Sequence, residues 1–207
     1  MKKFKIILIV ILILVVLYLA FFLHNFIKIQ NVLNTAKENN NNAESVSYSI
    51  ESYENKNSDN KHTVKVLQKD SRLLEQYVDQ GGYYIWQNLS TGEEIYYNTD
   101  NNEANEKQKT EYENVSLNIP SIDSEYLGDF NKFTYSLTHW VSNEEVSDKE
   151  CIKLSTNEGD FWIEKDTGYI VKIENNDFVQ EYKNIEINTV TDEEIAKPEL
   201  SNFTIVE

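Results

Sequence analysis

The stretch FWIEKDTGYIVKI, residues 161–173, decides the fold class of this chain. Two short segments rich in aromatic and β-branched residues flank Lys165-Asp166-Thr167-Gly168, a turn whose glycine can adopt a positive φ. Such segments, bounded by turn residues, are typical of β-strands. We therefore predict an antiparallel hairpin with strands at 160–164 and 169–174.

The same pattern extends in both directions along the chain. A second aromatic hairpin is predicted across Leu89-Ser90-Thr91-Gly92, and side chains two residues apart indicate further strands, each with a single apolar face. The predicted strands include Val46, Tyr48 and Ile50; Val64 and Val66; and the segments 73–78, 83–88, 93–98, 149–155, 178–187 and 203–206. The chain therefore predicts a meandering antiparallel sheet.

Three segments do not follow the strand pattern. Residues 99–110 are almost wholly polar and acidic, which predicts an exposed, mobile loop. Apolar residues at helical spacing predict a short helix over 126–141. Asp192 to Ile195 could form one helical turn behind Thr191 as N-cap.

The N-terminus carries an apolar run without a charge, from Ile6 to Leu23. Its length is that of a helix crossing ~30 Å of hydrocarbon. Apolar residues then recur at helical spacing on one face, so the helix should continue to about Lys37, until the polar run 39–42 ends it. We predict two parts: residues 1–38 as cytoplasmic tip, membrane anchor and stalk, and residues 39–207 as the β-rich domain.

The charge distribution predicts the orientation of the anchor. Lys2, Lys3 and Lys5 precede the apolar run, which favours a single-pass protein of the cell membrane with its domain extracytoplasmic. Bulky residues around Leu23 disfavour signal-peptide cleavage, although a cleaved signal peptide is the alternative. No cysteine follows the run closely, which excludes a lipid-modified N-terminus.

Composition excludes some partners. The formal net charge is −16 over 207 residues, with Arg72 as the single arginine. Phosphate binding depends on clustered Lys and Arg, so nucleic acid is disfavoured, and anionic headgroups would repel the domain. The acidity serves solubility or, alternatively, forms a recognition surface.

The residues that carry most enzyme chemistry are absent or dispersed. Cys151 is the only cysteine, so no intramolecular disulfide is possible, and the three histidines lack metal-ligand spacing. Adjacent glutamates such as Glu193-Glu194 would point to opposite faces of a strand. We predict no catalytic residues, no metal site, no cofactor and no enzyme activity; distant carboxylates meeting in space leave an envelope hydrolase as an alternative.

A family resemblance rests on the last third of the chain. Cys151-Ile152-Lys153-Leu154 followed by residues 161–173 resembles the lipoprotein-carrier (LolA/LolB-like) superfamily, and 189–195 with Pro198-Glu199-Leu200-Ser201 resembles the tail of its membrane-anchored Gram-positive members. The resemblance implies an α+β fold: the N-terminal transmembrane helix, then a curved antiparallel sheet forming an open half-barrel, with one or two short covering helices around an apolar cavity.

These observations lead to two hypotheses about function. The first is a membrane-anchored, non-catalytic binding module for an apolar or lipidic ligand, such as a lipid, an acyl chain or a lipoprotein. Its predicted ligand-binding residues are Tyr84, Trp86, Trp140 and Trp162. The second is an interaction or assembly component of the cell envelope, which docks on a protein partner and has no small-molecule ligand.

Overall fold

The computed structural model describes residues 2–54, 57–109, 116–122 and 131–206. The last residue of the predicted loop and the first part of the predicted 126–141 helix therefore lie outside the described residues. The described elements are α1 (Lys2–Asn40), β1 (Ser45–Glu54), β2 (Asn57–Lys69), β3 (Arg72–Tyr77), a 3₁₀ turn (Val78–Gln80), β4 (Tyr83–Asn88), β5 (Glu93–Asn98), β6 (Glu103–Gln108), α2 (Lys132–Thr138), β7 (Ser142–Val146), β8 (Lys149–Ser155), β9 (Asp160–Glu164), β10 (Ile170–Glu174), β11 (Phe178–Ile187) and β12 (Thr204–Ile205).

All the described strands belong to one open sheet. Their order is β12-β6-β5-β4-β3-β2-β1-β11-β10-β9-β8-β7, so two meanders, β1 to β6 and β7 to β11, join where β1 pairs with β11. Every pairing is antiparallel except that of β12 with β6. Gly92, with φ 71°, supplies the positive φ expected of the turn between β4 and β5.

Helix α1 has two parts with different surroundings. Its large apolar side chains from Phe4 to Leu19 are all exposed. One helical turn beyond Leu23 the surroundings change, and Ile29, Val32 and Ala36 are buried in the main core. The last part of α1 therefore packs in the core of the sheet, and the domain boundary between residues 38 and 39 stays a prediction.

The buried part of α1 gives the two sheet faces different roles. We call the side on which α1 packs the helix face and the opposite side the outer face. On the helix face, α1 contacts a core contributed by β1, β2 and β8 to β11, with members such as Val46, Ile152 and Ile163. Gly168 sits so close to α1 that an added Cβ would lie 2.7 Å from the Ala36 backbone nitrogen.

The outer face is partly covered by the chain after β11. Val190 and Ile195 pack against Leu67 and Leu74 to form a smaller core. The predicted helical turn is present as a turn, in which the Thr191 hydroxyl and the Glu194 carboxylate accept hydrogen bonds from each other's backbone N–H. This segment covers β2 to β5 on the outer face only. The two faces of that part of the sheet therefore have different environments.

Helix α2 packs beside α1 and lies away from the sheet's open part. Asn131 caps its N-terminus by accepting a hydrogen bond from the Thr134 N–H at 3.0 Å. On the α1 side, the fully buried Asn25 donates to the carbonyls of Ser136 and His139 and accepts from the Val141 N–H. These bonds attach α2 and the segment after it to the middle of α1.

The predicted fold class is confirmed: a long N-terminal apolar helix precedes an open, mostly antiparallel sheet, and one further helix is present in the described chain. One local prediction was wrong, and a second was confirmed only in part. The expected loop at 99–110 contains β6, because backbone pairing with β5 and burial of Ala104 compensate for its polar composition. The described part of the 126–141 helix is only Lys132–Thr138, because the backbone is extended from His139 onward.

Candidate binding site

The candidate site is the part of the helix face that α1 does not cover. Pairing places the side chains of alternate residues of β3 to β6 on this face, beyond Val64 and Val66, which pack with the main core. We call this surface the open half. Its members are Glu75, Tyr77, Tyr83, Ile85, Gln87, Glu94, Tyr96, Asn98, Asn105 and Lys107.

A cavity of about 440 Å³ lies at the β6 end of the open half. Tyr83, Tyr96, Asn105 and Lys107 line it, together with Val206 from the chain end beside β12. Its volume falls in the range of ~300–1,000 Å³ that is usual for small-molecule sites. Because Glu103 also lines it, the cavity combines aromatic rings, amides, one amine and one carboxylate at a size that suits part of a ligand.

Two tyrosine and glutamate pairs form the floor of the open half. The Tyr77 hydroxyl donates to Glu75 Oε2 at 3.3 Å, and the Tyr96 hydroxyl donates to Glu94 Oε2 at 3.0 Å. Burial raises the pKa of the Glu75 carboxyl above its usual range. Burial, followed by the charge of Glu75, raises the pKa of Tyr77 to about 12, so this hydroxyl remains a donor at physiological pH.

Two lysines provide positive charge near these groups. Lys107 Nζ lies 4.7 Å from the centroid of the Tyr96 ring, a cation–π contact. Lys109 Nζ lies 2.6 Å from the buried Glu94 Oε1 and balances its charge. Lys107 is thus the amine that lines the cavity, while Lys109 is engaged with a carboxylate behind it.

The chemistry of this arrangement suits binding. Tyrosine rings offer apolar area, while hydroxyls, amides and the Lys107 amine can orient a polar end. Across the described ranges, no group of three or more His, Cys, Asp or Glu is placed to hold a metal ion. The Cys151 thiol is buried on the outer face, and burial raises its pKa to about 11, so it is a poor nucleophile.

Two of the four predicted site residues lie on the outer face, behind the open half. Trp86 is 3% exposed, and its indole N–H donates to the Ile195 carbonyl at 3.1 Å. Tyr84 stacks on Tyr97 with ring centroids 5.0 Å apart, and Phe203 packs against Tyr97. The chain after β11 therefore covers this side of β4.

The other two predicted residues lie in separate places. Trp162 is buried on the outer face of β9, between the amines of Lys153 and Lys172, and its N–H donates to Glu144. Trp140 lies beside α1 and stacks on His24. The structure does not bring the four residues together, and their role in ligand binding stays a prediction.

Sequence reasoning did not select Tyr83, Tyr96 and Lys107. The alternation along 83–88 shows that both faces of β4 are apolar and that one of them needs a cover. It does not show which face the C-terminal segment covers, because that segment is distant in sequence. The signal that could have found Tyr83 is its position on the face opposite Trp86.

The fold and this site define a class: a single open-sheet α+β protein that has an N-terminal apolar helix and one uncovered half of its helix face. Neither a protein-family model nor a curated protein sequence matches the chain. The fold is similar to that of an uncharacterized conserved protein from Thermus thermophilus, with a TM-score of 0.50 and 8% identity over 86% of this chain and 97% of that one. At this identity the likeness concerns the fold alone.

Two further solved structures are similar at lower TM-scores. A DUF1329 family protein from Desulfovibrio piger has a TM-score of 0.33 and 9% identity, over 81% of this chain and 95% of that one. A LolA superfamily protein from Nitrosomonas europaea has a TM-score of 0.31 and 10% identity, over 82% of this chain and 98% of that one. A LolA superfamily protein is thus among the similar solved structures.

Proposed function

We propose that this chain is a membrane-anchored, extracytoplasmic binding module that holds an apolar or lipidic ligand on the open half and does no catalysis. The observation that carries the proposal is the division of the helix face. The main core is closed by α1 together with Ile119, Ile122 and Tyr135, whereas the aromatic cavity of about 440 Å³ lies on the half of the face that α1 does not cover.

The support for the anchor comes from α1 itself. It is long and apolar enough to cross a membrane. A signal sequence also meets this criterion of length and composition. The contacts of its apolar part favour retention over cleavage: the Tyr18 hydroxyl donates to the Leu137 carbonyl at 3.1 Å, and Phe22 packs edge-on against Phe133 at 5.3 Å. Cleavage near Leu23 would remove these contacts.

The support for an amphipathic ligand comes from the lining of the cavity. Tyr83 and Tyr96 can contact an acyl chain or another apolar group, and each buried aromatic ring covers ~150–250 Å². Lys107 and Asn105 can bind the polar end of the same ligand through charge and hydrogen bonds. A lipid, an acyl chain or an acylated lipoprotein meets this description.

Topology is tested by protease treatment of intact protoplasts that carry the full chain. The proposal expects digestion of the domain from outside and retention of the chain in the membrane after alkaline carbonate extraction, because Lys2, Lys3 and Lys5 hold the N-terminus inside. Protection of the domain would contradict the orientation, and release by carbonate would contradict the anchor.

Binding is tested with a photoreactive fatty acid on the full chain in phosphatidylcholine nanodiscs. Tyr96→Ala should lose most of the labelling of the domain, because the ring lines the cavity. Tyr53→Ala is the matched control on the outer face of β1, where its hydroxyl donates to Glu181, and should keep it. Labelling of α1 by the probe dissolved in the bilayer serves as the internal standard. Equal labelling of the domain in both variants would contradict the proposed site.

A further inference from the structure

An exposed aromatic patch lies beside the apolar half of α1. Phe133 of α2 and Trp140 after it are 56% and 59% exposed, although most other aromatic side chains of the described chain are buried or half-buried. Both rings contact α1: Trp140 lies 5.7 Å from Phe21, and Phe133 lies 5.3 Å from Phe22. The patch is therefore continuous with the exposed apolar surface of the helix.

The contacts fix the level of this patch along α1. An α-helix rises 1.5 Å per residue, so Tyr18 lies ~7.5 Å before Leu23, the last residue of the uncharged apolar run. The Leu137 carbonyl accepts a hydrogen bond from the Tyr18 hydroxyl, while the neighbouring Ser136 and His139 carbonyls accept from Asn25, so the end of α2 lies between these two levels. The end of α2 is thus level with the last residues of the apolar run, among which Leu23 is itself exposed.

Two lysines lie on the domain side of the patch. Lys28 Nζ donates to the Val141 carbonyl at 3.2 Å and lies 6.0 Å from the Trp140 ring. Lys132 Nζ lies 4.8 Å from the Phe26 ring and bonds to Gln30. Aromatic rings followed outward by amines match the order of a membrane interface, where Trp lies at headgroup level and Lys reaches toward phosphates.

The patch is held rigidly in this position. Asn25 has no exposed surface, and its side chain makes three hydrogen bonds to the backbone of Ser136, His139 and Val141. These bonds satisfy the buried amide and join the end of α2 to α1. The aromatic patch therefore cannot separate from the helix without leaving a buried polar group unpaired.

We propose that residues 132–141 form a second membrane contact, in which Phe133 and Trp140 insert into the outer interface of a phospholipid bilayer while Lys28 and Lys132 reach its phosphates. This inference rests on the proposed anchorage by α1. The occupant is lipid because the patch is continuous with the helix surface that would itself face lipid, at a level inside the apolar run. The contact fixes the orientation of the domain relative to the membrane.

The test uses the full chain reconstituted into vesicles of phosphatidylcholine and phosphatidylglycerol, with lipids brominated near the headgroup end of the acyl chain as quenchers of tryptophan fluorescence. The wild type should be quenched. Trp140→Phe should lose most of the quenching, and Trp162→Phe should keep it, because Trp162 is buried on the outer face of the sheet. Sedimentation after a carbonate wash reports the α1 anchor independently.

The outcomes separate the two claims. Loss of quenching in Trp140→Phe, with the chain still sedimenting, supports the second contact. Equal quenching in Trp140→Phe and the wild type, with the chain still sedimenting, overturns the second contact and leaves the anchor standing. A chain that does not sediment overturns both. If the wild type is anchored in these vesicles but its tryptophan fluorescence is not quenched, a lipid occupant is overturned and a protein partner for the patch is favoured. An unchanged thermal midpoint confirms that Trp140→Phe folds.

Discussion

The two halves of the helix face are built from the same sheet and have opposite properties. Beneath α1, residues such as Leu154, Phe161 and Ile163 are almost fully buried and form a dry aliphatic and aromatic core. On the open half, Tyr83 and Ile85 remain half-buried and face carboxylates, hydroxyls and amines. The side chains also differ, because the open half carries polar residues such as Glu75, Glu94 and Asn105 where the covered half is apolar, so side chains and covering helix together decide which half is core.

This difference teaches that burial on one face of a sheet depends on its cover as well as on its side chains. A single helix can cover only part of a sheet with twelve strands, because a helix with side chains is ~10–12 Å across and neighbouring strands lie ~4.8 Å apart. The remaining surface must be solvated, covered by other chain segments or filled by a ligand. We therefore expect changes under α1 to affect stability and changes on the open half to affect binding.

The largest expected effect comes from removing the helix that creates the difference. A chain that starts at residue 39 loses Ile29, Val32 and Ala36 from the main core and should not fold. A chain that starts at residue 24 keeps these residues and should retain its β-sheet. Circular dichroism and thermal melting of the two truncated chains would check this. A cooperative transition in the chain that starts at 39 would contradict the role of α1 in the core.

A matched pair of isoleucines compares the two halves directly. Ile163→Ala, beneath α1, should lower the free energy of unfolding by about 2–5 kcal/mol, because it leaves a cavity in a packed core. Ile85→Ala, on the open half, should cost about 1 kcal/mol, because the side chain is only half-buried. Chemical denaturation of both variants measures the difference. Equal costs would mean that the open half is packed as core.

The smallest expected effect is a pH dependence on the open half. Burial raises the pKa of Glu75 in the folded protein, so its stabilising contribution is complete below the ordinary carboxyl pKa and is lost as pH rises through the raised value. Glu75→Gln removes the buried charge. It should therefore raise the denaturation midpoint at neutral pH, and this gain should shrink as pH falls toward ~4.

Glu51 on the outer face provides the control with the opposite sign. Its hydrogen bond with Lys183, at 2.6 Å, lowers the pKa of this carboxyl, so its contribution is present above the ordinary pKa and is lost as pH falls through the lowered value. Glu51→Gln should therefore lower the midpoint at neutral pH and have less effect in acid. Two variants that shift in the same direction at neutral pH would contradict the assigned environments.

Most of the fold could be predicted from the sequence because its strands follow a strict two-residue pattern. The alternation of Val46, Tyr48 and Ile50 identified the core face of β1, and the Thr167-Gly168 turn identified the hairpin of β9 and β10. Helical spacing placed Ile29 and Ala36 on the packed face of α1. These signals are local, so one sequence contains them.

The site could not be predicted, because it depends on contacts between segments that are distant in sequence. Trp86 and Tyr83 look equally suitable in the strand pattern, and only the position of Ile195 shows that Trp86 is covered. β6 has no apolar pattern of its own and forms through backbone pairing with β5. Its Lys107 therefore gave no sign that it would line a cavity.

The most direct test of the central claim is the position of the cross-link formed by a photoreactive fatty acid on the full chain in nanodiscs, mapped by mass spectrometry. The account predicts modified residues in the domain at 83–88, 93–98 and 103–108, with Tyr83 and Tyr96 foremost, because these strands carry the cavity. Cross-links confined to α1 and residues 132–141 would show that the domain meets lipid only at the membrane, which would contradict a ligand site on the open half.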